Sequence, residues 1–150
     1  MVLCRRAFVS VEELESSAIR KGYLTTDDTL STQQLVSCDQ EGFSSFHIEK
    51  YKLWNLGCDG GTTQKAYLYI YDVGGITSEA LYPYTNGDKT EAEDCIPSLL
   101  TNWKIKVGKN NWIGFQLESE KDMQNYILST GPITVAIDAT TFSSYQEGDY

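Results

Sequence analysis

From Ala7 to Arg20 the apolar residues Ala7, Phe8, Val11, Leu14 and Ala18 recur at three- and four-residue steps. That spacing lays them on one face of a helix, and Gly22 supplies a stop. In "LSTQQLVSC", Ser31 followed by Gln34 reads as a capping box, which starts a short second helix. "GGTTQKAYLYIYDVGG" predicts a third: Thr62 or Thr63 caps it, Ala66, Ile70 and Val73 form its stripe, and Gly74-Gly75 ends it. Tyr67, Tyr69 and Tyr71 lie too close in sequence to share one face, so some point outward. "SEALYPYT" is a turn region held by Pro83, and residues 86–102 are polar and irregular. "NWKIKVGKNNWIGFQ" reads as short strand, turn, strand. "SEKDMQNYILSTGP" predicts a fourth helix, capped by Ser119 with Asp122 at its third position, stopped by Gly131 and barred from resuming by Pro132. "ITVAIDA" then alternates as a strand, with Ile133, Val135 and Ile137 on one side and Thr134, Ala136 and Asp138 on the other. Helices come first and strands later, the order of an α+β chain without internal repeats.

The chain has 150 residues, 41% hydrophobic and 22% charged, as expected of one globular domain. Its net charge of −9 repels phosphate backbones, so no nucleic-acid partner is expected. No apolar run approaches the roughly 18 residues of a membrane span, so no membrane partner is expected either. "MVLCRRAFVSVEELES" does not read as a signal peptide, because Arg5 and Arg6 break its apolar run. Cys4, Cys38, Cys58 and Cys95 form no CxxC pair, which removes the usual structural zinc spacing; neither a metal nor a cofactor is called for. An even count at wide spacing fits disulfides, and disulfides imply an oxidising compartment.

Several segments, in order, carry a resemblance: "AFVSVEELES", "LSTQQLVSCD", "GCDGG" at 57–61, "GGITSEALYPYT", and "GPITVAIDA" followed by "FSSYQEGDY". Together they cover nearly the whole chain, and they resemble the papain-like cysteine peptidases, the group that includes cathepsin L. "GCDGG" matches that family's Gly-Cys-Asn-Gly-Gly motif with Asp59 in place of the asparagine. The resemblance implies a helical lobe over 1–102, then the beginning of a β-barrel-like lobe over 103–150, with a cleft between them. It implies proteolysis by a thiol nucleophile, which attacks as thiolate and whose pKa is lowered by a helix N-terminus and a histidine. It makes Gly60 and Gly61 a backbone platform for an extended peptide, with Thr62 and Thr63 flanking the pocket for the second side chain and Ala136 on its floor. It also implies a Cys38–Cys95 disulfide, a peptide or protein substrate, and a lysosomal, vacuolar or extracellular location.

The family pattern Cys-Trp-Ala-Phe reads "CRRAF" here. Counting back from Ala7-Phe8, Arg5 stands at the nucleophile position and Arg6 replaces the tryptophan. Cys4 lies one residue early, a rotation of about 100° on a helix. It reads as a displaced nucleophile, a leftover thiol or a partner for Cys58. The family's histidine and asparagine belong to segments past Tyr150, and the side-chain oxyanion donor to one before Met1. The sole histidine, His47, sits in "QEGFSSFHIEKYKLWNL" and reads as a surface-loop residue. That stretch, 40–56, has no family counterpart; from Gly42 to Leu56 it is expected to be a dispensable excursion, a real insertion or a gene-model artefact. On this reading the chain is a fragment of the family fold, inactive by itself. The alternative is a non-catalytic homologue that keeps the peptide-binding wall.

Overall fold

The computed structural model describes residues 4–40, 55–87, 91–108 and 118–137. His47, most of the 40–56 stretch, the second half of "NWKIKVGKNNWIGFQ", and Asp138 with the residues after it lie outside the described residues.

Four helices are present: α1 (Arg5–Arg20), α2 (Thr32–Cys38), α3 (Thr63–Val73) and α4 (Glu120–Thr130). A 3-10 turn spans Gly57–Asp59 and another Pro97–Leu99. α1 packs against both α2 and α3. Its buried face carries Ala7, Val11 and Ala18, three of the five residues whose spacing predicted it. Phe8 is half-buried instead, its ring edge-on to Tyr84 with centroids 4.9 Å apart. Ala7, Val11 and Ala18 form one core cluster with Leu35, Val36, Ala66, Ile70 and Ile76.

All seven residues of α2 are buried, so its polar side chains need partners inside the protein. Ser31 Oγ accepts the Gln34 N–H, as the capping pattern predicts. The Gln34 side chain does not return to the Ser31 N–H, however. It donates to the Gly75 carbonyl and accepts the Thr77 N–H, while the Ser31 N–H donates to the Thr77 carbonyl. Gln34 thus ties α2 to the chain just past α3, a partnership 41 residues away that no local rule expresses. In α3, Thr62 is the cap, Gly74 is left-handed at φ 100°, and of the three tyrosines Tyr67 and Tyr69 are buried while Tyr71 points out. α4 has the expected cap, Ser119 Oγ accepting the Asp122 N–H.

Among the described residues there is no strand ladder, only isolated bridges between Leu30 and Ser78, Gln40 and Asn55 or Leu56, and Ile76 and Ile105. Among the described residues the strand expected from Ile133 finds no partner through Ile137, with Val135 54% and Ile137 66% exposed. An extended segment becomes a strand only when a neighbour takes its N–H and C=O groups. This part of the chain reaches α1 instead through Thr134 Oγ1, which donates to Glu13. The described chain is therefore the helical part of an α+β fold.

Candidate functional site

The turn Gly57-Cys58-Asp59-Gly60-Gly61 enters α3 and lies against the start of α1. Three of its glycines have positive φ: Gly57 at 55°, Gly60 at 124° and Gly61 at 144°. At Gly60 the requirement is purely conformational, since a Cβ there meets no atom within 4 Å. At Gly61 it is also steric, because a Cβ would lie 1.9 Å from Asn55 Oδ1 and 2.8 Å from Arg6 Cδ. The turn closes on itself: the Leu56 N–H donates to the Gly60 carbonyl at 3.0 Å and the Asp59 N–H to the Leu56 carbonyl at 2.9 Å.

Two linkages anchor this turn to the helices. One is the Cys4–Cys58 disulfide, with Cα atoms 4.1 Å apart. The other is polar and buried. Arg6 Nη1 lies 2.7 Å from Asp39 Oδ2, with both side chains 6% exposed, and Arg6 Nη2 donates to the Gly57 carbonyl at 3.0 Å. Asn55 Nδ2 donates to the same Asp39 oxygen at 2.5 Å, and Asn55 Oδ1 accepts the Thr62 N–H at 2.8 Å. One carboxylate oxygen therefore collects a cation from α1 and an amide that grips the first residues of α3.

Burial dominates the electrostatics here. It pushes the Asp39 carboxyl up to about 6, against the pull of Arg6, the Asn55 hydrogen bond and the more distant Lys65. It also lowers the Arg6 guanidinium, with Asp39 opposing. The pair is held together by geometry in a place where neither charge is well solvated.

Of the expected peptide-contacting residues, Gly60 and Gly61 lie in this turn and Thr62 and Thr63 are the cap and first residue of α3 directly after it, with Gly61 and Thr62 exposed. Ala136 is exposed on the segment after α4 and does not approach the Gly60 Cβ position within 4 Å. Cys38 and Cys95 form the second disulfide. The reading of Cys4 as a displaced nucleophile needs correction: its sulfur is bonded to Cys58 and the residue is 1% exposed, so it offers no thiol here. All four cysteines are paired. Arg5 is exposed in the first turn of α1.

The dispensable excursion from Gly42 also needs correction at its far end. Asn55 is fully buried and bonded on both sides, so it belongs to the site. Sequence reading missed Arg6, Asp39 and Asn55 as a unit. The available signal was Arg6 adjoining the buried stripe of α1, one residue before Ala7, where a charge requires a partner.

Gly61→Ala is expected to cost about 3 kcal/mol, from backbone strain plus displacement of Asn55. Gly60→Ala, which meets no neighbour, is expected to cost roughly half as much. Urea unfolding of both variants checks this; equal costs would remove Asn55 from behind the turn.

A family model described as papain family cysteine protease matches residues 4–150. A viral cathepsin of Heliothis zea nuclear polyhedrosis virus is 31% identical over 143 residues, covering 95% of this chain and 33% of that protein. Cathepsin L of Sarcophaga peregrina is 33% identical over 146 residues, covering 96% and 37%. Procathepsin L of Felis catus is 34% identical over 155 residues, covering 99% and 39%. The chain thus spans about a third of the length of the curated relatives it matches. Among solved structures, the proform of the ragweed pollen allergen Amb a 11, a cysteine protease, aligns with a TM-score of 0.52 at 30% identity, covering 70% of this chain and 26% of that one.

Proposed function

The chain belongs to the papain family of cysteine proteases, and from that premise we propose that it forms the helical, peptide-binding wall of a thiol peptidase cleft. The observation that carries this is the Gly60–Gly61 backbone, side-chain-free and held from behind by Asn55 and the Cys4–Cys58 bond. Backbone exposed this way can pair with an extended peptide as a short strand does. Thr62 and Thr63 flank the pocket and Ala136 contributes to its floor. The helical lobe runs to residue 102, and the β-rich lobe begins at 103. The substrate is a peptide or protein. In the family's reaction a thiolate attacks the scissile carbonyl, the amine leaves with a proton, and water hydrolyses the resulting thioester. Two disulfides support a location reached through an oxidising compartment, lysosomal, vacuolar or extracellular.

A second reading has its own support. The four cysteines are all paired and Arg5 stands where the nucleophile belongs, which favours a homologue that binds peptide without cleaving it. The 150 residues alone are expected to show no turnover of a fluorogenic dipeptide substrate and no labelling by a thiol-reactive peptide-like probe. Turnover that vanishes in Cys4→Ala would refute this and return Cys4 to the catalytic role. Peptide binding without labelling would favour the second reading.

A further inference from the structure

Behind the Gly60–Gly61 backbone lies a buried polar relay that family membership does not account for. Arg6 occupies the position where the family motif has an apolar tryptophan, and it brings a charge into the base of the turn. Asp39 Oδ2 receives both Arg6 Nη1 and Asn55 Nδ2. Asn55 Oδ1 in turn holds the Thr62 N–H, one residue past Gly61, and its own atom blocks any Cβ at Gly61. Arg6 also holds the Gly57 carbonyl at the other end of the turn. Both ends of the platform are thus gripped by the same ion pair. None of the three side chains is exposed, so they act on a bound peptide only through the backbone between them.

We propose that Asn55, set by Arg6 and Asp39, is the positioning residue of the Gly60–Gly61 backbone and fixes the geometry in which that backbone meets an extended peptide. The proposal rests on the reading of that backbone as peptide-binding.

The test is amide hydrogen exchange in the full 150-residue chain, read at Leu56 and Thr62, whose N–H groups donate to Gly60 and Asn55. In Asn55→Ala, protection at these amides, corrected for intrinsic rate, is expected to fall about tenfold or more at pH 7.5 while Val11 and Val36 stay protected. Protection at Leu56 and Thr62 that survives the substitution, or a loss shared equally by Val11 and Val36, overturns the proposal and leaves Asn55 an ordinary structural residue. A blocked hexapeptide of alternating leucine and lysine, suited to the net charge of −9, supplies the second arm. Its affinity is expected to drop about tenfold in Asn55→Ala. If the peptide shifts neither Gly60 nor Gly61 while the exchange responds as expected, the positioning stands and the peptide-binding reading beneath it falls.

Discussion

Changing Cys38 and Cys95 together to alanine is expected to lower the free energy of unfolding by about 4 kcal/mol. The bond spans 57 residues, so its absence frees a long loop in the unfolded chain. The figure is an upper value, because the Cys4–Cys58 loop overlaps it and restrains residues 38–58 even in the unfolded state. Cys38 is fully buried at the last position of α2, so alanine also leaves a small void, which adds a fraction of a kcal/mol. Urea unfolding in the absence of reductant measures the loss. A change below about 1 kcal/mol would mean that the remaining bond already supplies most of the restraint.

Asp39→Ala is expected to cost about 3–5 kcal/mol, because it leaves the Arg6 guanidinium buried with no counter-charge. Arg6 has no escape: one of its nitrogens, Nε, already lacks a partner among the described residues, and arginine does not shed its proton. The reciprocal change, Arg6→Met, behaves differently, because Asp39 can neutralise itself by binding a proton. In the parent protein Asp39 titrates near 6 in place of 3.8. Between those values the folded state holds more protons than the unfolded one, so the contribution of Asp39 to stability declines as pH rises through that window. Without Arg6 its range moves higher still. The deficit of Arg6→Met relative to the parent is therefore expected to be several kcal/mol at pH 7.5 and to shrink toward pH 4.5, whereas that of Asp39→Ala persists at both. The double change Arg6→Met with Asp39→Leu is expected to lie nearer the parent than Asp39→Ala does, since buried ion pairs are often replaceable by apolar residues of similar size. Equal pH profiles for the two single variants would refute this account.

The sequence alone determined the helices and their ends. The apolar steps of α1, the Ser31 and Ser119 caps, a cap at Thr62 or Thr63 and the Gly74-Gly75 stop are all local, and each was legible because a helix satisfies its own backbone within four residues. The family was legible too, from short motifs in order. Tertiary structure decided what those elements do to one another. It sent the Gln34 amide to Gly75 and Thr77 rather than back to its own cap. It left 133–137 without a strand partner among the described residues, because pairing depends on a neighbour and not on alternation. It joined Cys4 to Cys58, which the sequence had left among three readings. It also gathered Arg6, Asp39 and Asn55, three polar residues separated by 33 and 16 positions, onto one carboxylate oxygen behind Gly61. No periodicity encodes such a meeting. A buried charge states only that a partner is required; which residue meets it is set by how α1, α2 and the turn before α3 pack, and that is a property of the folded chain.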